Sequence, residues 1–99
     1  MADDFYVVAK VNKEAGGDDL VVTDEVKVSV KIEEAVNRIG AWNGDIFAVW
    51  AVGDVRPNPK NAEDHAQSVR PDSLWVMSGE MPFQIEDRYL ESVRQDCRG

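Results

Sequence analysis

Apolar and polar positions near the N-terminus follow the pattern of short β-strands. Residues 5–11 are mostly aromatic and β-branched, which predicts a first strand. A second strand is predicted to start at residues 20–23, after a segment in which Gly16-Gly17 and Asp18-Asp19 have the composition of a turn. The simplest interpretation of these two strands is a β-hairpin.

The segment 26–39 fits two periods. Val26, Val28 and Val30 alternate with polar residues, as in a half-buried strand, whereas Val30, Val36 and Ile39 fall near helical spacing. We therefore expect the strand to run to about residue 29 and a helix to follow over about residues 30–39. Gly40 is the predicted end of the helix, because glycine adopts the left-handed conformation of a helix C-terminus at little cost.

Residues 46–52 form the most apolar stretch of the chain and follow a predicted tight turn at Asn43-Gly44. A strand of this composition is expected at the centre of a sheet, since an exposed edge would promote aggregation. Phe47, Val49 and Trp50 are the expected core contacts.

The C-terminal half predicts further short elements. Residues 56–59 contain two prolines and are expected to be non-helical, with Asn61 capping a helix over residues 62–69. Strands are predicted at residues 74–77 and 83–85, and a last helix at about residues 86–95. Residues 1–99 are thus expected to form a single small α+β domain, with an antiparallel or mixed sheet of about four to five strands and two to three helices.

Net charge narrows the classes of partner. The chain has 99 residues, with 19 acidic and 11 basic side chains, for a formal charge of −8. Direct nucleic-acid binding is disfavoured because it requires clustered Lys and Arg, and an anionic membrane surface would repel the chain. The apolar runs are too short to span a bilayer, no signal peptide is evident, and Cys97 is the only cysteine, so we expect a cytoplasmic protein.

Candidate chemistry is sparse. His65 is the only histidine, and its neighbours on the predicted helix offer no orienting carboxylate or nucleophile. Cys97 lies near the end of the sequence and has no histidine close in sequence. Six pairs of adjacent acids lack the spacing of a calcium loop, and no nucleotide-binding or nucleophile-elbow motif occurs. We therefore expect no catalytic residue, metal site or cofactor, and a protein that is not an enzyme.

Two features point to a partner protein. Trp42 lies beside the predicted turn, where it would either anchor an interface or close the end of the preceding helix by a hydrophobic contact. The acidity either maintains solubility or presents a negative surface to a basic partner. The predicted partner-binding residues are Asp18, Asp19, Asp24, Glu25, Glu33, Glu34 and Trp42.

These properties favour a small acidic inhibitor or adaptor that occupies a basic surface of another protein. In size and charge the chain resembles the nucleic-acid-mimicking anti-defence proteins of phages and bacterial immunity proteins, although no motif supports that resemblance. Two alternatives stay open. One is a structural or assembly subunit that acts as a homo-oligomer, and the other is a small ligand-binding domain or enzyme with a site formed across a homodimer.

Overall fold

The computed structural model describes residues 4–13, 20–40, 42–86 and 93–94. The elements within these residues are six strands and two helices: β1 (Tyr6–Lys13), β2 (Leu20–Ser29), α1 (Ile32–Ile39), β3 (Ile46–Ala51), α2 (Pro59–Ser68), β4 (Ser73–Ser78), β5 (Met81–Ile85) and β6 (Val93–Arg94). The predicted α+β class is confirmed. The sheet has one short strand more than expected.

The strands form one mixed sheet in the order β5-β4-β3-β1-β2-β6. Neighbouring strands are antiparallel except for β2 and β6, which are parallel. The predicted hairpin is present as the β1–β2 pair, and β1 also pairs with β3, so that Val8 lies opposite Val49. The apolar stretch of β3 is therefore internal to the sheet, as its composition predicts.

The two helices cover opposite faces of this sheet. Ala35 and Val36 of α1 pack against Val8, Phe47 and Val49. The other face packs on Ala62 and Ala66 of α2 and includes Val7, Ala9, Ala48, Trp50 and Leu74. Because successive side chains of a strand point to opposite faces, β3 contributes to both cores, and this is why its apolar run is continuous instead of alternating.

An irregularity in the β1–β2 pairing lies between Ala9 and Val11. Thr23 satisfies polar groups there: its hydroxyl donates to the carbonyl of Lys10 at 2.8 Å, and its own carbonyl accepts from the side-chain amide of Gln67 at 3.0 Å. The second contact joins α2 to β2 beside this irregularity.

The structure confirms Gly40 as the end of α1 but corrects the start of α2. Gly40 has φ 89°, and its N–H bonds to the carbonyls of Val36 and Asn37. Residues 56–58 are non-helical as expected, but the prediction is wrong at Pro59, which is the first residue of α2. The expected Asn61 cap is also wrong, because the helix is capped by Asn58, whose side chain accepts from the Asn61 N–H at 2.8 Å. Proline at the first position of a helix loses no intrahelical hydrogen bond, which is why it is tolerated there.

The predicted C-terminal helix is wrong at Val93–Arg94, which forms β6 beside Leu20 and Val21 of β2. Pairing with a strand supplies backbone hydrogen bonds that outweigh a weak local helical period. Glu86 is not helical, and the rest of that predicted segment lies outside the described residues.

Candidate functional site

The loop between α1 and β3 exposes a large aromatic side chain. Trp42 is 77% exposed, so it does not close the end of α1 by a hydrophobic contact. Its N–H donates to Oδ2 of Asp45 at 2.9 Å, and the Asp45 N–H returns a bond to the Trp42 carbonyl at 3.0 Å. The two bonds close a tight turn around Asn43 and Gly44, as the sequence predicts.

This turn is fastened to the end of β4. The Gly44 N–H donates to the Met77 carbonyl at 2.7 Å, and the Met77 N–H donates to the Asp45 carbonyl at 2.8 Å. The Asn43 side chain accepts from the Gly79 N–H at 2.9 Å. The backbone of Trp42 is therefore held in place while its indole faces solvent.

Three of the predicted acidic residues are exposed on the surface, two of them in α1. Glu33 and Glu34 are exposed in the first turn of α1, and Glu25 is exposed on β2. Glu34 is bound to Arg38 at 2.9 Å, and Lys31 immediately precedes the helix, so the surface of α1 is not uniformly acidic. Asp18 and Asp19 lie outside the described residues, and Asp24 is described only by its place in β2.

A shallow groove of about 410 Å³ adjoins the N-terminal end of α1. Its lining residues are Lys31, Ile32, Glu33, Trp75, Met81 and Pro82. Met81 is 53% exposed and belongs to β5, the last strand on that side of the sheet in the described part of the chain. Sequence reasoning missed the groove because its residues come from α1, β4 and β5, which only the folded topology brings together.

A second cavity, of about 470 Å³, lies beside β2 and is rich in basic side chains. Its lining residues are Val26, Lys27, Val28, Arg38, Arg56, Pro59 and Ala62. The three cations come from β2, α1 and the segment before α2. Nothing in the local sequence around any one of them signals a site.

His65, considered above as a catalytic candidate, packs against a core tryptophan. His65 is half-buried, and its ring meets the edge of Trp50 with a centroid distance of 6.3 Å and an interplanar angle of 77°. Trp50 donates from Nε1 to the Val69 carbonyl at 2.8 Å. Cys97 lies outside the described residues.

No group of three or more His, Cys, Asp and Glu side chains in the described ranges is arranged to hold a metal ion. Neither helix of the described structure has the length and apolar character needed to cross a membrane.

Comparison of the chain with protein-family models, with curated proteins and with solved structures finds no match. The fold and these surfaces define a small α+β domain with an exposed tryptophan on the hydrogen-bonded loop between α1 and β3 and a basic cavity at β2.

Proposed function

We propose that the protein is a small cytoplasmic inhibitor or adaptor, without enzymatic activity, that binds a partner protein through the α1 side of the sheet. Trp42 is the proposed anchor, and Glu33 and Glu34 supply charge that attracts a basic surface. The single observation that carries the proposal is the exposure of Trp42 on a loop whose backbone is already fixed.

A fixed loop favours binding because little conformational entropy remains to be lost when the indole is buried. Tryptophan is among the residues most enriched at interface positions whose truncation costs at least about 2 kcal/mol. A fully solvated indole also contributes little to folding. The 77% exposure of Trp42 is therefore better explained by contact with a partner than by the stability of the isolated domain.

The acidic residues act mainly on the rate of association. The chain carries −8, and Glu33 and Glu34 lie on the helix that leads into the Trp42 loop. Charges of this kind steer a basic partner during diffusion and are screened over about 8 Å at physiological ionic strength. A partner that presents basic residues where it would otherwise contact nucleic-acid phosphates fits this chemistry.

The proposal is tested by identifying a captured partner and then measuring binding with purified proteins. Trp42→Ala is expected to weaken binding by about 30-fold or more, since 1.4 kcal/mol corresponds to a factor of ten. Val55→Ala is the matched control because Val55 is 75% exposed but lies outside the α1 loop. Equal effects of the two substitutions would contradict the anchor.

Charge reversal tests the steering. Glu33→Lys with Glu34→Lys is expected to slow association at low salt and to leave the melting temperature nearly unchanged. The control is Glu63→Lys with Asp64→Lys, which makes the same change on α2 and on the other face of the sheet. If both double variants associate at the wild-type rate at low and high salt, the acidity serves solubility alone.

Homo-oligomerisation is the second candidate function, and the exposed apolar side chains of β5 favour it. Met81 and Phe83 of this strand are 53% and 57% exposed, and β5 lies at the end of the described sheet. Exposed apolar residues on a terminal strand suit pairing with a second copy. Sedimentation of the wild type over a hundredfold range of concentration distinguishes the candidates, because a monomer at every concentration rules out the oligomer.

A further inference from the structure

The basic cavity at β2 is unusual for a chain of this charge. Lys27, Arg38 and Arg56 are three of only 11 basic residues, yet all three line one cavity of about 470 Å³. The described lining includes no acidic side chain. Positive charges that line one cavity favour an anion within it.

The side chains of Lys27 and Arg56 are available to bind an anion. In the described part of the chain, neither Lys27 nor Arg56 forms an ion pair, and both side chains are exposed. Arg38 is bound to Glu34 at 2.9 Å through one terminal nitrogen, which leaves other N–H donors of the guanidinium for a further acceptor. The cavity therefore offers a set of cationic donors from three separate elements.

The rest of the lining is apolar. The apolar lining residues are Val26 and Val28 of β2 and Pro59 and Ala62 of α2. Val28 and Ala62 are buried in the core beneath α2, so Val26 and Pro59 supply most of the accessible apolar surface. Pro59 is the first residue of α2, so the positive end of the helix dipole is also near the cavity. A phosphate ion alone would leave Val26 and Pro59 uncovered, whereas an anion with an apolar body would contact both kinds of surface.

We propose that this cavity binds a small amphiphilic anion, in which a phosphate or carboxylate group is joined to an aromatic or short aliphatic body. The charged group contacts Lys27, Arg38 and Arg56, and the apolar body lies against Val26 and Pro59, which are the accessible apolar residues of the lining. Because Lys27 and Val26 point to opposite faces of β2, the ligand extends around the edge of this strand. The volume of about 470 Å³ is within the range of small-molecule sites. The described lining of this site includes none of Trp42, Glu33 and Glu34, although Glu34 is bound to Arg38 of the cavity at 2.9 Å.

The test uses phenyl phosphate and benzoate as probes, followed by amide chemical shifts of the whole ¹⁵N-labelled chain. Both probes carry an aromatic ring and differ only in the charged group, so their relative affinities identify the preferred group. Saturable shifts are expected at Val26, Lys27, Val28 and Ala62. Benzyl alcohol supplies a similar ring without charge, and inorganic phosphate supplies charge without a ring, so each is expected to bind more weakly.

Substitutions locate the interaction. Lys27→Gln and Arg56→Gln are each expected to weaken binding of the preferred probe by about tenfold or more, because hydrogen bonds to charged groups are strong. Lys60→Gln removes the same charge one residue beyond Pro59 and outside the cavity lining, and it is expected to change affinity by less than about twofold. The amide spectrum of each variant shows directly whether it is folded.

Several results would overturn the proposal. Equal weakening by Lys60→Gln would show a general effect of net charge. If inorganic phosphate binds as tightly as the preferred probe, the apolar part of the cavity contributes nothing to binding. If benzyl alcohol binds as tightly, the charged part contributes nothing. Saturable shifts centred elsewhere in the chain, or none with either probe, would remove the site.

Discussion

Phe47 is the residue at which the two-faced architecture can be tested most directly. Its side chain is completely buried in the core beneath α1, where it joins Val8, Val36 and Val49. Phe83 belongs to the same sheet but is 57% exposed. The same substitution at both positions therefore changes burial while the side-chain chemistry stays constant.

The magnitude follows from burial. Removing Phe47 from its core loses about 1.5–3 kcal/mol of transfer free energy, and the cavity that is left raises the total for Phe47→Ala to about 3–5 kcal/mol. For a domain of this size each kcal/mol lowers the melting temperature by about 4–8 °C, so Phe47→Ala is expected to lower it by at least about 12 °C. Phe83→Ala is expected to change stability by less than about 1 kcal/mol, because most of that ring is already in water.

Thermal unfolding followed by circular dichroism measures both variants. Because Phe47→Ala could leave little folded protein, Phe47→Leu and Phe83→Leu provide a milder pair, with an expected loss of about 1–1.5 kcal/mol at the buried position only. Urea unfolding gives the same comparison as a shift of midpoint at constant slope. Equal losses at the two positions would show that α1 does not cover this face of β3.

Three further substitutions test the α2 side of the sheet. Trp50→Phe removes the donor to the Val69 carbonyl and part of a buried ring. It is expected to lower the free energy of unfolding, measured by urea titration, by about 1–3 kcal/mol. A change below about 0.5 kcal/mol would show that the bond to Val69 is unimportant. Asn58→Ala removes the side-chain cap of α2 and is expected to lower the free energy of unfolding by about 1 kcal/mol. Asn61 is exposed, and only its backbone N–H donates to the Asn58 side chain, so Asn61→Ala is expected to lower the free energy of unfolding by less than about half as much. The reverse order of the two asparagine variants would contradict the position of the cap.

Local signals were sufficient where a residue's own backbone preference decides the structure. Gly40 ends α1 and Asn43-Gly44 forms the turn because their preferred conformations match the positions they occupy. The core residues of β3 were also predictable, since a run without polar positions requires cover on both faces of the sheet. The sequence was a good guide to these elements.

Prediction failed where partners distant in sequence decide the structure. Asn58 and Asn61 are both good caps, and the choice between them depends on whether Pro59 starts the helix. Val93–Arg94 joins β2 as a parallel strand through contacts more than seventy residues away, which no local period can encode. Lys27, Arg38 and Arg56 likewise meet only because β2 lies between the two helices in the folded chain.

The Glu34–Arg38 ion pair determines how the two proposed sites can be separated by experiment. Glu34 belongs to the proposed partner-binding surface, whereas Arg38 lines the basic cavity, and the two side chains are 2.9 Å apart. Reversing Glu34 therefore changes the electrostatics of both sites. Glu33 has no ion pair in the described residues and lines the other groove, so Glu33→Lys is the cleaner change. Glu33→Lys is expected to slow association with a basic partner and to leave the affinity for phenyl phosphate at the wild-type value. Lys27→Gln is expected to weaken binding of phenyl phosphate and to leave the rate of association with the partner unchanged.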